Sequence, residues 1–273
     1  MSIVNSIVFD EICQRGCLRC RDVQRLKNLF YASEFIDIKE AESLFEINDA
    51  CRVQDIQWAE FFIDAICNFT IDHLEPEGCV TLSNAEWLMS VIAKDCAIQT
   101  QTEFELLLTL LDRARWSSEN LIMFALHQIR IAIISGSGPL RAHCAPQPGV
   151  VMKQDVAALR RVFYSTAGDR HIAVTQSEAG VLFEINDATA DAENCAEWSE
   201  FFAKAITNSM MAASGYRVPL RQHVLGCEPL LQEQSALPDD CRAISSGIVL
   251  DDNKLQHMLR ICLLYTSPSP RDA

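Results

Sequence analysis

No stretch of this 273-residue chain is apolar for long enough to cross a bilayer: the most apolar segment, residues 121–134, carries His127 and Arg130 and falls short of the roughly 20 residues a spanning helix needs. It reads as a buried helix, and no membrane association is expected. The opening MSIVNSIVFDEICQRG has no basic lead, no sustained apolar core and no small-residue cleavage site, so no secretory signal is expected either. Basic charge is scarce, with 23 Lys and Arg against 37 Asp and Glu and a formal net charge of −14. A surface that neutralises phosphates needs clustered cations, which argues against a nucleic-acid partner. Catalytic signatures are missing as well. The chain has no HExxH, Glu-x-x-His, P-loop, GxSxG or dinucleotide-binding glycine pattern, and its six His residues are scattered. A motif-based hydrolase or oxidoreductase is thereby excluded, and a non-catalytic protein is expected.

What is present suffices for a core. Hydrophobic residues make up 49% and charged residues 22%, the balance of a folded chain and not of a disordered one. Most of the twelve cysteines fall inside apolar helical patterns, where Cys behaves as a small hydrophobe. Without export they stay reduced, so a cytoplasmic location is expected. Seventeen Arg stand against six Lys, a bias that points to GC-rich bacterial coding.

The hexapeptide LFEIND occurs at residues 44–49 and again at 182–187. Around it, DVQRLKNLFY answers to DVAALRRVFY, EAESLFEINDA to EAGVLFEINDA, and WAEFFIDAI to WSEFFAKAI. The chain therefore reads as a tandem duplication. Between the copies, SGSGPLRAHCAPQPG at 135–149 has the composition of a linker. The expected organisation is a first module over 1–134, the linker over 135–149 and a second module over 150–261.

Each copy has helical periodicity, so the predicted fold class is all-α. Ala41, Leu44, Phe45 and Asn48 make one stripe, and Trp58, Phe61, Phe62, Ala65, Ile66 and Phe69 make another, both at the spacing of a buried helix face. Five capping pairs predict helix starts: Asp37 with Glu40, Ser83 with Glu86, Thr100 with Glu103, Thr175 with Glu178, and Asn194 with Glu197. Only residues 79–81 suggest a short extended piece. The Asn-Asp pairs 48–49 and 186–187 read as helix stops, because Asn tolerates a left-handed turn.

The rhythm of short helix, loop, EAExLF helix, linker and WxxFF helix resembles the EF-hand superfamily. The resemblance implies two tandem EF-hand-like modules and directs attention to two loops where calcium, or another divalent metal, would bind. In 167–178, Asp169 and Glu178 stand at ligand positions, but Ala167 and Ile172 depart from the pattern. In 73–84, Glu75 and Glu77 take positions 3 and 5 and Gly78 the turn, whereas His73 and Asn84 are poor ends. The metal candidates are thus Asp169, Glu178, Glu75 and Glu77. The layout is also similar to that of alphaproteobacterial proteins with the same tandem pattern.

Cys13, Cys17 and Cys20 have the Cx3Cx2C spacing that radical enzymes use for a four-iron cluster. On one helix, however, the three would form a single buried stripe. The final residues, CLLYTSPSPRDA, share no pattern with what precedes them. Residues 262–272 resemble the translation of a tagmentation transposon end joined to a sequencing adaptor, which predicts that 262–273 is an artefact and that the second module is truncated near residue 261. The functional expectation is a binding or regulatory module for a protein partner, with a weakly calcium-responsive protein as the alternative and a Cys-based cluster or redox enzyme as a third. Oligomeric state is left open.

Overall fold

The computed structural model describes residues 7–31, 37–51, 53–94, 97–142, 147–165 and 174–213. They are predominantly helical, as the periodicity predicts, and no helix among them is long and apolar enough to cross a membrane. Two compact units are distinguished: Met1–His171 with Phe183–Trp198, and Ile172–Leu182 with Ser199–Ala273.

The first unit opens with α1 (Ile7–Arg15), α2 (Cys20–Tyr31), α3 (Ile38–Ala50) and α4 (Ile56–Asn68), the last running on into a π-helical turn at Phe69–His73. The predicted apolar stripes face inward: Ala41, Leu44, Phe45 and the whole Trp58-to-Phe69 series are buried. Their rings meet edge to face, Phe45 against Phe62 with centroids 5.1 Å apart and Phe30 against Phe61 at 5.7 Å, a geometry that adds to area burial.

Next come β1 (Cys79–Val80), α5 (Leu82–Ile92), β2 (Ala93–Lys94), β3 (Ala97–Ile98), α6 (Gln101–Arg113), β4 (Trp116–Ser117) and α7 (Glu119–Ser135). The extended piece expected at 79–81 is β1, and its partner is β4, in parallel register with Cys79 opposite Trp116 and Val80 opposite Ser117. This short ladder fastens the loop before α5 to the loop before α7. The unit then includes a 3-10 turn at Pro139–Arg141, α8 (Lys153–Ser165), the latter part of α9 (Gln176–Ala188) and the first turn of α10 (Ala196–Ala213). Helix α6 packs against both α4 and α8, and α7 against α8.

Helix boundaries follow their capping chemistry. Thr100 and Glu103 form a complete reciprocal capping box at α6, and Asp37 accepts the Glu40 amide at α3. Two predicted starts are corrected. Helix α5 is capped by Thr81, whose hydroxyl accepts the Asn84 amide, so Ser83 already lies inside it; the helix starts two residues earlier, and the orphan donor to be satisfied is the Asn84 amide instead of that of Glu86. Helix α10 begins at Ala196, and the Asn194 side chain accepts from the Val151 amide and donates to Thr189. That use ties two chain segments together and leaves the side chain unavailable as a cap.

The described parts of the expected linker are anchored. Gly136 ends α7 with φ +66°, where an added Cβ would meet the Pro148 nitrogen at 2.9 Å, so both conformation and space require glycine. Arg141 then binds Asp155 through two parallel hydrogen bonds of 2.5 and 2.7 Å, with the pair 3% and 0% exposed. Asp155 also accepts the Met152 amide at 2.8 Å, capping α8. The first copy repeats the device: Gly16 ends α1 with φ +64°, and Asp22 accepts the Arg19 amide while pairing with Arg15. Thus the arginine–aspartate clamp recurs although Arg15 lies seven residues before its aspartate and Arg141 fourteen.

The second unit contributes the first part of α9 and most of α10. Thr175 and Glu178 cap α9 reciprocally, the Thr175 amide reaching Glu178 at 2.9 Å and the Glu178 amide reaching Thr175 at 3.2 Å. Asn208 of α10 accepts the Val174 amide at 2.8 Å, so the two pieces are joined at that end.

Removing a partner from a buried ion pair strands the other charge, at a cost of about 3–5 kcal/mol. Arg141→Ala is therefore expected to lose that much in denaturant unfolding, whereas Arg15→Ala, on a part-exposed pair, loses about 1 kcal/mol or less.

Candidate functional site

The three cysteines of the Cx3Cx2C spacing do not share a helix face. Gly16 breaks the helix between them: Cys13 lies in α1, Cys17 is bridged in parallel to Val53, and Cys20 begins α2. Cys20 is exposed, its sulfur 3.9 Å from the Gln57 carbonyl. Cys13 and Cys17 instead lie near Cys51, whose thiol is pushed up to about 11, chiefly by burial. Burial also raises Cys13. Such thiols stay protonated at neutral pH, which makes them poor nucleophiles and reluctant ligands.

The metal candidates that are described lie in different local settings. Asp169 lies outside the described residues. Glu178 is buried with its carboxylate engaged in the α9 capping box. Glu75 and Glu77 are exposed on the loop before β1, where Gly78 takes φ +81° as a turn glycine should and Val80 is buried. Among the described residues no group of three or more His, Cys, Asp or Glu side chains is placed to hold a metal ion. A pocket lined by Leu111, Arg115, Trp116, Ser117, Ile122 and Ser165 has a volume of about 10 Å³, room for one water and no substrate.

The most constructed polar feature is the corner between α3 and α4. The Asn-Asp pair was expected to stop the helix, but α3 runs through it to Ala50 and is capped by Cys51 in extended conformation. Asn48 is buried because the 3.6-residue period turns it to the same face as Ala41, Leu44 and Phe45, and it there becomes a hydrogen-bond node. Its amide oxygen accepts from the Trp58 indole at 3.0 Å and from Gln54 at 3.1 Å, while its NH2 group donates to Glu103 at 3.1 Å. Gln54 further donates to the carbonyls of Asn48 and Cys51. One amide thus joins α3, α4 and the capping box of α6. No cation pairs with the Glu103 carboxylate among the described residues; burial raises its pKa most, Asp49 adds to the rise, and the Thr100 and Asn48 hydrogen bonds oppose it.

The second copy keeps part of this corner. Asn194 donates to the Thr189 carbonyl as Gln54 does to Cys51, closing the end of α9 in the same way. Asn186, however, is only half-buried. Ten residues separate Asn48 from Trp58, and twelve separate Asn186 from Trp198, so the longer connection changes how the two are presented to each other. The sequence carried this signal in the unequal spacing. The partner Glu103, 55 positions away, had no local signal beyond its own capping box.

Outside the node, the corner exposes Val53 at 64% and Ile56 at 87%. They flank Asp55, whose carboxylate accepts the Gln57 amide at 3.0 Å and caps α4. No family model, curated protein or solved structure matches the chain.

Asn48→Ala leaves the Trp58 indole and the Glu103 carboxylate without their partner inside the core, at an expected cost of about 2–4 kcal/mol. Asn186→Ala is expected to cost less than about 1 kcal/mol, and paired chemical denaturation measures the difference. Glu103 gives a second expectation. With its folded pKa raised, the native state holds more protons than the unfolded chain, so stability is highest below the ordinary glutamate range and falls as pH rises through the raised value. Melting curves across that window are expected to lose this component in Glu103→Gln.

Proposed function

We propose that the protein is a non-catalytic helical binding module that engages a protein partner. The observation that carries this reading is the α3–α4 corner: a corner held rigid by Asn48, Gln54 and Asp55 that nevertheless presents Val53 and Ile56 to solvent. Large apolar side chains fixed on a preorganised surface are what a partner can bury without an ordering cost. Several buried carboxylates that a catalytic site would draw on serve instead as caps and clamps, as with Glu103, Asp155 and Asp22. Within this reading the two copies are EF-hand-like modules that use a helix-pair surface for recognition, in a bacterial cytoplasm where the thiols stay reduced.

A second reading, a weak calcium response, is favoured by Gly78, which takes φ +81° at the turn position of the 73–84 loop, with Glu75 and Glu77 exposed beside it. The two are separated by experiment. A peptide-display screen on the immobilised protein is expected to enrich a consensus whose synthetic peptide binds at micromolar concentration; no enrichment sinks the binding-module reading. Melting temperature in millimolar calcium against chelator is expected to be unchanged, and a rise of several degrees moves the metal-responsive reading to the front.

A further inference from the structure

Helices α2 and α8 lie in the two segments of similar sequence and differ in what covers them. Aligned on Asp22 and Asp155, Arg21 answers to Gln154, Arg25 to Ala158, Asn28 to Arg161 and Leu29 to Val162. At about 3.6 residues per turn these four positions share one arc of the helix. In α8 the arc is covered. Ala158 and Val162 are 4% and 1% exposed, α6 and α7 pack on the helix, and Arg161 reaches Glu105 at 2.6 Å and Asp112 at 2.7 Å, both on α6. In α2 the same arc is open: Arg21, Arg25 and Asn28 are exposed and Leu29 is half-buried.

The helices that pack on α2 meet it elsewhere. Helix α4 touches it at Cys20, whose sulfur is 3.9 Å from the Gln57 carbonyl, and at Lys27, whose nitrogen lies 5.8 Å from the centre of the Phe61 ring. Helix α1 meets it through Arg15 on Asp22. Cys20, Asp22 and Lys27 all fall outside the open arc. The acids of these two neighbours are Asp10, Glu11 and Glu60, all exposed, and Asp64, which is held by Arg113. Among the described residues none of Arg19, Arg21 and Arg25 forms an ion pair, although the chain as a whole has a net charge of −14. The equivalent positions of the second segment are Met152, Gln154 and Ala158, so the fold does not require cations there.

We infer that the open arc of α2, with Arg21 and Arg25 beside Leu29 and Arg19 at its start, is the docking surface for an acidic amphipathic helix of a partner protein. The choice of occupant comes from α8, whose equivalent arc is covered in part by α6, a helix that presents two carboxylates, seven residues apart, to Arg161. Guanidinium groups pair with carboxylates in a forked geometry, and Leu29 gives such a helix an apolar contact at the centre. An extended polyanion such as a nucleic acid fits less well, because beyond this arc it meets a surface of its own sign. The inference rests on the binding-module reading and adds a surface and a class of partner to it.

The test uses the full chain and a labelled amphipathic helical peptide of about 16 Leu and Glu residues, followed by fluorescence polarisation. The peptide is expected to bind the parent and to lose at least tenfold in affinity to the double variant Arg21→Gln, Arg25→Ala, which installs the residues of α8, with circular dichroism unchanged. Arg25→Glu alone is expected to weaken the peptide severalfold, whereas Lys39→Glu, the same change of charge on α3, leaves binding unaltered; this pair serves if the double variant misfolds. Absence of peptide binding, undiminished binding by the arginine variants, an equal loss in Lys39→Glu, or tighter binding of a single-stranded oligonucleotide than of the peptide overturns the inference. The wider reading is judged separately: a peptide from the display screen that binds the double variant as tightly as the parent leaves the protein a binding module and removes this surface, whereas an empty screen removes both.

Discussion

A single buried amide sets the geometry of the first unit. Asn48 receives the Trp58 indole and Gln54 on its oxygen and donates to Glu103 from its nitrogen, so three helices are fixed relative to one another by a side chain with a defined donor end and a defined acceptor end. Apolar packing alone tolerates small rotations and slips, since hydrophobic contact is non-directional. A buried amide does not, because each misplaced donor is left unsatisfied. The aromatic cluster around Phe45, Phe61 and Phe62 supplies the burial, and Asn48 adds directional bonds that join α3, α4 and α6 beside it.

Much of the fold could be read from local pattern, because helix faces and caps are local physics. The stripes from Ala41 to Asn48 and from Trp58 to Phe69 are buried as their spacing requires, and the pairs Thr100 with Glu103 and Thr175 with Glu178 form the predicted reciprocal boxes. What could not be read depends on partners distant in the chain. Asn48 looked like a helix stop because Asn-Asp has that local preference; its actual role is set by Trp58 and Glu103, neither of which changes the local signal. The same holds for Arg141. Within a Gly- and Pro-rich segment it resembles a linker residue, and only the fold shows it against Asp155. The cysteine spacing failed for a different reason: Gly16 interrupts the helix that would have aligned the three thiols.

The two segments of similar sequence share some contacts and differ in others. The arginine–aspartate clamp and the side-chain closure of the third helix appear in both copies, the former with arginines drawn from non-equivalent positions. These are solutions to one recurring problem, the unpaired amides and carbonyls that every helix end leaves behind.

The clamp between Arg141 and Asp155 bears on how the chain can be divided. Arg141 belongs to the joining segment and Asp155 to the first helix of the second copy, so a cut between residues 141 and 155 would leave each fragment with an ionised group shaped to fit the other. The segment joining α7 to α8 is in this way part of the core and not a place where the chain can be parted without loss.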